Sequence, residues 1–552
     1  MARPTAGRLL AEGWLVALGP LHVGAAEAGS DSDLPLARDG QGRLYLPGTS
    51  LAGAFRAWTR QAADPATVEA AWGFQRPNPA DSGRTTEAAA SRIVVDDAVV
   101  ELRSGLAEEL RDGVGIDRKL GAAAMAVKYD RAVLPAGTRA RLSLQAELPP
   151  DPGQAKAIRA LVADLLAGLQ AGELRLGAAR TRGLGQVRLD ELACWEQDLA
   201  TFDGILAAID GIRTSVPAPV AAKPSRRART APLAIEAAWH PAGPVLVRDP
   251  ADGFAAQILP LVTATGPDQL ALLLPGSAIK GVLRSQAERI VRTVLQLDPP
   301  TEDEPRRRFL RQVEVRLVDW LFGAAATRHA AGPSGSSGDG AGRALRGRGA
   351  LTVADSVGTI ALNPSRWRQV RAAADDQALN QALQEAGLGG WSNSYHVAVD
   401  RWTGGAAAHL LYSVLEPHGV SWTPLRLWVD PARFPNPATA QAALGLLLLV
   451  LGDLAGGWLP LGFGGNRGLG AVAVDELRLT LPDPAAFGLP GAAETPLVVG
   501  LPGGSLERLP AELRQRLEAA WTAWIDSESH AAADRPAPPQ PRTPAPVQQE
   551  DR

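Results

Sequence analysis

Two segments of this chain place serine, lysine and arginine at spacings that could bind a phosphate group. They read PGTSLAGAFR from Pro47 and PGSAIKGVLR from Pro275. Pro-Gly predicts a turn, and the residues after it predict a helix whose first N–H groups face outward and can hold a phosphate oxygen. The candidate side chains are a capping hydroxyl and basic residues, namely Ser50, Arg56, Ser277, Lys280 and Arg284. A well-capped helix with no ligand explains the same residues.

Two glycine-rich segments follow downstream, LGAARTRGLG at residues 176–185 and LGFGGNRGLG at residues 461–470. Closely spaced glycines let a backbone adopt positive φ and approach a ligand closely. One such loop alone indicates little. Combined with a Pro-Gly segment in the same part of the chain, the loops predict one phosphate-binding surface, with candidate residues Arg182, Gly183, Gly185, Arg467, Gly468 and Gly470.

A third segment also occurs twice, as VGIDRKLG from Val114 and as VAVDRWTG from Val397. The residues that align are Asp117-Arg118 and Asp400-Arg401. An aspartate can orient an arginine whose planar fork then meets a phosphate. A surface salt bridge, which contributes little to stability, is the alternative interpretation.

The segments recur in the same order, which indicates an internal duplication. The long repeat predicts two fused domains rather than a solenoid. We predict a first module over residues 1–212, a Pro- and Arg-rich linker over 213–232, and a second module over 233–526 with an insertion and a C-terminal helix. A tail over 527–552, rich in Pro, Gln and charge, is predicted to be disordered.

The elements that would position these residues follow one coarse order in each module: strand, helix, two strands, helix, strand. The predicted helices over residues 155–169 and 438–454 each lead into a glycine loop and a final strand. This βαββαβ order is that of a ferredoxin-like unit. The sequence therefore predicts an α+β protein with two such units in tandem.

Composition limits the classes of partner. The 552 residues carry a net charge of −3, so any nucleic-acid site must be a local groove. Cys194 is the only cysteine, which excludes a disulfide framework and fits a cytoplasmic location. The longest apolar run, residues 442–451, is too short to span a bilayer, and we expect no membrane partner.

Taken together, the motifs resemble the RAMP superfamily, and more narrowly the backbone subunits of type III CRISPR effector complexes. The tandem fusion is similar to the III-D style of arrangement. The resemblance implies RNA-recognition-like (RAMP) domains with inserted thumb hairpins and loops, which bind a CRISPR guide RNA and a target RNA beside other type III effector subunits. Aromatic residues make up only 5% of the chain, so contacts to backbone phosphates fit better than base stacking.

The same resemblance implies a catalytic aspartate in the loop after the first strand, shortly before a proline. Asp33 fits that pattern, and Asp31 is the alternate. Asp33 would act as general base or hold a divalent cation, with magnesium the expected metal, while a target 2′-OH attacks the adjacent phosphate. His22 lies nearby, and we expect a structural or guide-contacting role for it.

The second module departs from the family pattern. Aligning Pro260 with Pro35 places Ile258 at the position of Asp33, with Asp249 and Asp252 a few residues upstream. We therefore expect one cutting module and one inactive module.

Three other functions remain open at this point. The chain could be a non-catalytic scaffold that only holds guide and target RNA. It could process guide precursors, although its seven histidines form no convincing cluster. It could be an unrelated phosphate-binding enzyme, although a Walker Lys-Ser/Thr pair and a dinucleotide fingerprint are both absent from the sequence.

Overall fold

The computed structural model of the chain describes residues 3–25, 32–77, 85–103, 105–216, 232–266, 268–301, 304–324, 347–489 and 497–533. Helices and antiparallel strands are mixed throughout, so the predicted α+β class is confirmed. Each predicted module has its own large hydrophobic cluster, and a small third cluster of Leu246, Ile258, Val414 and Leu469 lies in module 2.

Module 1 contains eleven of the described strands and four of the described helices. The strands are β1 Gly7–Ala17, β2 Tyr45–Leu46, β3 Phe74–Pro77, β4 Thr85–Ala89, β5 Ile93–Val95, β6 Ala98–Glu101, β7 Glu109–Ile116, β8 Ala123–Val133, β9 Arg139–Leu148, β10 Val187–Asp198 and β11 Thr214–Val216. The helices are α1 Gly48–Ala62, α2 Pro65–Trp72, α3 Pro152–Gln170 and α4 Phe202–Ile209.

The main sheet of module 1 has the order β11-β10-β1-β9-β6-β2, and β5 also pairs with β9. The central strand β1 alternates buried and half-buried residues along its whole length, as a strand covered on one face does. Helices α1 and α3 supply Phe55, Ile158 and Leu165 to the core beneath it. The order β10-β1-β9-β5 is the 4-1-3-2 arrangement of a ferredoxin-like unit, as predicted.

Module 2 repeats this plan with additional elements. Its described strands are β12 Leu233–Pro241, β13 Val262–Gly266, β14 Gln269–Leu274, β15 Gly323–Ala324, β16 Gly347–Arg348, β17 Leu351–Val353, β18 Ser356–Val357, β19 Ser392–Val399, β20 Ala406–Glu416, β21 Leu425–Val429, β22 Val472–Leu481 and β23 Leu497–Pro502. Its described helices are α5 Gly276–Val294, α6 Pro305–Gln312, α7 Val318–Phe322, α8 Pro364–Ala372, α9 Asp376–Glu385, α10 Pro437–Ala455 and α11 Ala511–Ala533.

The main sheet of module 2 has the order β17-β21-β12-β22-β23, which is the same arrangement with one extra edge strand. Helix α10 lies in the core, where residues such as Leu447, Leu451 and Leu454 are fully buried. It is also the one helix among the described residues that is long and apolar enough to cross a membrane. Its burial against the sheet and α11 makes it a core helix here.

The predicted boundaries differ from the structure at two places. Residues 214–216, assigned to the linker, form β11 and pair with Cys194–Glu196 of β10, so the first sheet extends past residue 212. The C-terminal helix, expected to lie before residue 527, begins at Ala511 and continues to Ala533, into the segment expected to be disordered. Residues 217–231 and 534–552 lie outside the described residues.

Each module also carries a two-stranded hairpin that is separate from its main sheet. We call β7–β8 hairpin 1 and β19–β20 hairpin 2. Their tips have the same fold: the Asp117 carboxylate accepts from the backbone N–H groups of Lys119 and Leu120, and the Asp400 carboxylate accepts from those of Trp402 and Thr403. These hairpins correspond to the predicted thumbs.

The tip of hairpin 1 docks on module 2. Asp117 is 1% exposed and accepts hydrogen bonds from Arg308 Nε at 3.1 Å and Gln312 Nε2 at 3.2 Å, both on α6. The backbone N–H of Arg118 donates to Gln312 Oε1 at 2.9 Å. A Cβ atom at Gly115 would lie 2.7 Å from the ring of Phe309, so glycine permits this close approach.

A chain of buried ion pairs continues from the tip into module 2. Arg118 donates to the carboxylate of Glu288, which is 1% exposed on α5. Glu288 also accepts from Arg284 Nε at 2.6 Å, and Arg284 Nη2 donates to Asp319 at 3.0 Å. Arg118, Glu288, Arg284 and Asp319 therefore form one connected network across the contact between the modules.

We predict that Glu288→Gln destabilises the protein and loosens hairpin 1. The amide keeps the shape but removes the charge that lies between Arg118 and Arg284. Breaking a buried pair by neutralising one partner costs roughly 3–5 kcal/mol. Urea denaturation should show a lower free energy of unfolding, and limited proteolysis should cut hairpin 1 faster.

The matched control is Glu385→Gln. Glu385 pairs with Arg366 at 2.6 Å on the surface, and exposed pairs contribute about 0–1 kcal/mol. An equal loss of stability in both variants would show that burial of the Glu288 network is unimportant.

We also predict a pH dependence that originates at Asp319. Burial raises the pKa of Asp319 to about 7, while Arg284 lowers it and the carboxylates of Glu288 and Glu314 raise it. Between the usual value near 4 and about 7 the folded state binds more protons than the unfolded state. This contribution to stability is therefore lost as pH rises through that window, by at most about 1.4 kcal/mol per pH unit.

The measurement is the free energy of unfolding at several pH values from 4 to 8. Asp319→Asn should flatten the profile, whereas Asp268→Asn, at an exposed position, should leave it unchanged. The free energy of unfolding of the wild type could instead rise steadily with pH, with the same rise in Asp319→Asn. That result would contradict Asp319 as the origin of the pH dependence.

Candidate nucleic-acid interface

The two predicted glycine loops have the same backbone geometry. The first lies between α3 and β10, and the second lies between α10 and β22. In module 1, Gly185 N–H donates to Pro20 O at 2.7 Å, and in module 2, Gly470 N–H donates to Pro244 O at 2.8 Å. Both glycines have positive φ, and a Cβ on either would overlap the neighbouring strand of the loop. Glycine is therefore required by the fold of the loop itself.

The tips of the two loops lie in different surroundings. Gly183 is buried, and a Cβ there would overlap the carboxylate of Asp355 in module 2. Thr181 O accepts a hydrogen bond from Val353 N–H of β17 at 3.2 Å. Gly468 has the same positive φ, but nothing lies within 4 Å of a Cβ built on it. The first loop is thus closed against module 2, and the second is open.

Each loop arginine pairs with a tyrosine from the hairpin of its own module. Arg182 Nη1 lies 3.3 Å from Tyr129 Oη, and Arg467 donates to Tyr412 Oη. The Arg467 guanidinium also lies 5.4 Å from the centre of the Tyr412 ring. Sequence reasoning missed these tyrosines, although each follows its Asp-Arg pair at the same distance and the chain has only four tyrosines.

A basic groove forms where the first loop and hairpin 1 meet the start of α5. Its polar and charged lining residues are Arg111, Asp112, Tyr129, Arg131, Arg182 and Ser277. Arg111 is already paired with Asp355 at 2.8 Å. Burial lowers the pKa of Arg131, and the nearby charge of Arg182 lowers it further, so like charges are crowded here. An anion placed in the groove would relieve this repulsion and accept hydrogen bonds from the arginine forks.

The helices after the Pro-Gly turns begin earlier than predicted. They start at Gly48 and Gly276, with no side-chain cap, so Ser50 and Ser277 are exposed residues of the first turn rather than N-caps. Gly48 N–H donates to Asp97 and Gly276 N–H donates to Asp355, each at 2.7 Å. A carboxylate of the protein therefore already occupies each helix N-terminus.

The basic residues of these helices face the protein interior. Arg56 donates to Gly73 O at 2.9 Å, and Arg284 donates to Gly323 O at 2.6 Å in the equivalent contact. Lys280 is buried and donates to Leu351 O at 2.5 Å, and burial lowers its pKa well below the usual value. These three predicted RNA-binding side chains hold the fold together in this structure.

The two Asp-Arg pairs also differ. Asp117 and Arg118 are engaged with module 2, so the fork of Arg118 meets Glu288 where a phosphate was expected. Asp400 and Arg401 lie at the exposed tip of hairpin 2 beside Trp402, which is 96% exposed. Duplicated sequence has thus produced one closed contact and one open surface.

Asp33 is exposed and lies against hairpin 1. Its backbone N–H donates to Asp130 Oδ1 at 2.7 Å, and Asp130 N–H donates to Asp33 Oδ2 at 3.0 Å. Two carboxylates therefore meet at this point, and Asp130 was not foreseen from the sequence. Asp31 lies outside the described residues.

The second module has an amide where module 1 has Asp33. Leu34 bridges to Arg131 and Ile258 bridges to Val414 in the same parallel manner, so Ile258 is the counterpart of Leu34. The expected pairing of Ile258 with Asp33 is therefore wrong by one residue, and Gln257 takes that place. Its backbone N–H donates to Ser413 Oγ at 3.0 Å, as that of Asp33 does to Asp130.

The alternate aspartates of module 2 do not occupy this place. Asp249 is buried, which raises its pKa, and its carboxylate accepts from Ala251 N–H at 2.9 Å. Asp252 forms an exposed ion pair with Arg248 at 2.7 Å.

His22 has the structural role expected of it. It is 4% exposed, and its Nδ1 lies 2.7 Å from Ala132 O of hairpin 1. Burial lowers its pKa and favours the neutral ring. Among the described residues, His, Cys, Asp and Glu form no group of three that could hold a metal ion.

A protein-family model matches the chain in both modules. The model described as the RAMP superfamily matches residues 14–188 and residues 260–473. One region falls in each module, and together they cover more than half of the chain. A comparison with the curated proteins found no significant match.

Proposed function

The chain belongs to the RAMP superfamily and is thus a CRISPR-associated RNA-binding protein, and we propose that it is a backbone subunit of a type III interference complex. In this proposal it holds a guide RNA and a target RNA and cleaves the target in module 1. It acts in the cytoplasm beside other subunits of the complex.

The pairing of loop arginine with hairpin tyrosine in both modules supports RNA binding most directly. Arg182 and Arg467 are exposed and each is held at a defined position by a tyrosine. An arginine guanidinium forms bidentate hydrogen bonds with phosphate oxygens, and an adjacent aromatic ring can stack on a base or ribose. The basic groove around Arg182 adds Arg131 to the first site, while Arg111 is held by Asp355.

Contacts of these arginines and tyrosines to phosphates and riboses would not distinguish one RNA sequence from another. Selection of the target would therefore come from base pairing with the guide. The protein would fix the spacing of the duplex along its two modules.

The exposed carboxylate of Asp33 supports target cleavage. Asp33 would take the proton of a target 2′-OH as that oxygen attacks the adjacent phosphate, and the leaving 5′ oxygen would depart on the next nucleotide. Hairpin 1 would hold the RNA strand so that the attacking and leaving oxygens are in line. Gln257 cannot act as a base, so module 2 would bind without cutting.

Asp33 and Asp130 are also the residues that would hold a divalent cation such as magnesium. Their carboxylate oxygens are the ligands that magnesium prefers, and the bound cation would stabilise negative charge on the phosphate. One oxygen of each carboxylate accepts a hydrogen bond from a backbone N–H, and the other oxygen would be the metal ligand.

We predict that Arg182→Ala and Arg467→Ala weaken guide-RNA binding and reduce its dependence on salt. Each lost phosphate contact should lower the slope of log affinity against log salt by about 0.7–0.9. Filter-binding titrations from 50 to 300 mM salt test this, with Arg366→Ala on α8 as a surface-charge control. Slopes equal to wild type in both loop variants would remove these arginines from the interface.

We predict that Asp33→Ala abolishes one cleavage product of the reconstituted complex. The loss of a general base or metal ligand should slow that cut by about 10²-fold or more. The control is Gln257→Ala at the corresponding place of module 2, which should leave all products unchanged. Assays with and without magnesium separate the base role from the cation role.

An unchanged product pattern in Asp33→Ala would instead identify a scaffold that only holds guide and target.

A further inference from the structure

The segment that follows the last long strand of the sheet differs between the two modules. Strands β10 and β22 correspond, because both follow a glycine loop and both contain the sequence Asp-Glu-Leu. The offset of 285 residues that relates these loops also relates Asp198 to Asp483 and Phe202 to Phe487. Each of these aspartates accepts a hydrogen bond from a backbone N–H two or three residues further on. The two segments therefore leave their strands at the same point.

The two phenylalanines lie in opposite surroundings. Phe487 ends a short 3-10 helix, is 0% exposed and belongs to the core of module 2. Gln441 of α10 holds its carbonyl oxygen with a hydrogen bond of 2.8 Å. Phe202, by contrast, is the first residue of α4 and is 74% exposed. Module 1 thus presents to solvent a side chain that module 2 buries.

Helix α4 turns all its large apolar side chains away from its own module. Its small residues Gly204, Ala207 and Ala208 are half-buried, and a Cβ at Gly204 would lie 2.2 Å from Asp198 O at the end of β10. A surface helix normally turns its apolar stripe toward the core. The exposed apolar residues have helical i, i+3, i+4, i+7 spacing and continue past the helix; they are Phe202, Ile205, Leu206, Ile209 and Ile212. We call these five residues the α4 stripe, and a contiguous apolar patch of this kind marks an interaction site.

Two aspartates lie along one edge of the α4 stripe. Asp203 and Asp210 are seven residues apart, so they lie on the same side of the helix and about 10 Å from each other. Both are exposed, and neither forms an ion pair with another residue that the structure describes. Arg213, which follows in the sequence, is held by Glu12 at 2.6 Å and lies 5.3 Å from the centre of the Trp195 ring. The edge of the stripe is therefore acidic.

We propose that α4 docks a segment of a different protein that carries an apolar row flanked by lysines or arginines. The apolar row would cover the α4 stripe, and two basic side chains about 10 Å apart would pair with Asp203 and Asp210. Helix α4 lies outside both regions that the RAMP model matches, residues 14–188 and 260–473. The proposal does not depend on RNA binding or on target cleavage.

The charge of α4 disfavours RNA and membranes as its partner. Residues 189–212 contain no Lys or Arg. Phosphate contacts require these cations, and helices that bind anionic membranes carry them on their polar face. Asp203 and Asp210 would instead repel a phosphate or an anionic headgroup.

A second copy of this chain also fits poorly. Two α4 helices packed antiparallel about a twofold axis would bring their acidic edges together, and like charges across an interface cost several kcal/mol. Two parallel α4 helices would leave the aspartates of both copies without a cation. A partner with basic residues beside its apolar row satisfies both features of α4.

The experiment places a photo-crosslinking residue on the α4 stripe. Ile209→p-benzoylphenylalanine puts the probe at a position that is 74% exposed and keeps both aspartates. The variant is purified within its native complex and irradiated, and the adducts are located by mass spectrometry. The matched control is Val498→p-benzoylphenylalanine on β23 of module 2, which is 58% exposed and should not form the same adduct.

The expected result is an adduct to a different protein, at an apolar segment that carries at least two lysines or arginines. Asp203→Lys combined with Asp210→Lys should reduce this adduct at least about tenfold, and changing the partner's basic pair to glutamate should restore it. The charge control is Asp298→Lys combined with Asp526→Lys, which makes the same change at exposed positions elsewhere and should leave the adduct intact.

Several results would overturn the proposal. They are an adduct to RNA or lipid, an adduct to a second copy, an adduct within the chain at residues 217–231, and no adduct at all. An adduct that the double charge reversal on α4 leaves unchanged would also overturn it, because the acidic edge would then play no part in docking.

Discussion

The carboxylate of Glu288 lies between two arginines, one from each module, in a place that water hardly reaches. A buried charge of this kind is tolerable only when its partners are in position, so the network disfavours any other arrangement of hairpin 1 on α5. Once hairpin 1 is fixed, Tyr129 and Arg131 are fixed with it, and these residues form one wall of the basic groove. The groove and the setting of Asp33 beside Asp130 therefore depend on this contact.

The duplicated modules carry the same loop and hairpin motifs, but the surroundings of these motifs differ between the modules. The first glycine loop and hairpin are closed against module 2, and the second loop and hairpin are open. The carboxylate at Asp33 is replaced by the amide of Gln257 at the same bridge position. The two modules therefore differ in the setting of the same motifs, although their folds correspond.

Sequence patterns predicted the secondary-structure elements and loops that depend on residues close together in the chain. The βαββαβ order, helices α3 and α10, and both glycine loops were all visible as periodicity or as repeated motifs. The residues that Asp117 and Arg118 contact could not be predicted from the sequence. Glu288 and Gln312 lie 170 and 194 residues after Arg118, and no local sequence pattern indicates these contacts. The register around Gln257 was wrong by one residue because Pro260 was aligned with Pro35. Pro35 directly follows Leu34, whereas Pro260 comes two residues after Ile258, the residue whose bridge matches that of Leu34.

The distance in sequence between hairpin 1 and its receiving surface has a consequence for synthesis on the ribosome. Arg118 emerges 194 residues before Gln312, which at about 5–20 residues per second is a delay of roughly 10–40 s. Throughout that time the tip must remain in water without its partner. Asp117 and Arg118, which make the polar part of the contact, can be hydrated by water during this time. A contact whose polar groups are charged suits a protein whose first module is synthesised well before the second.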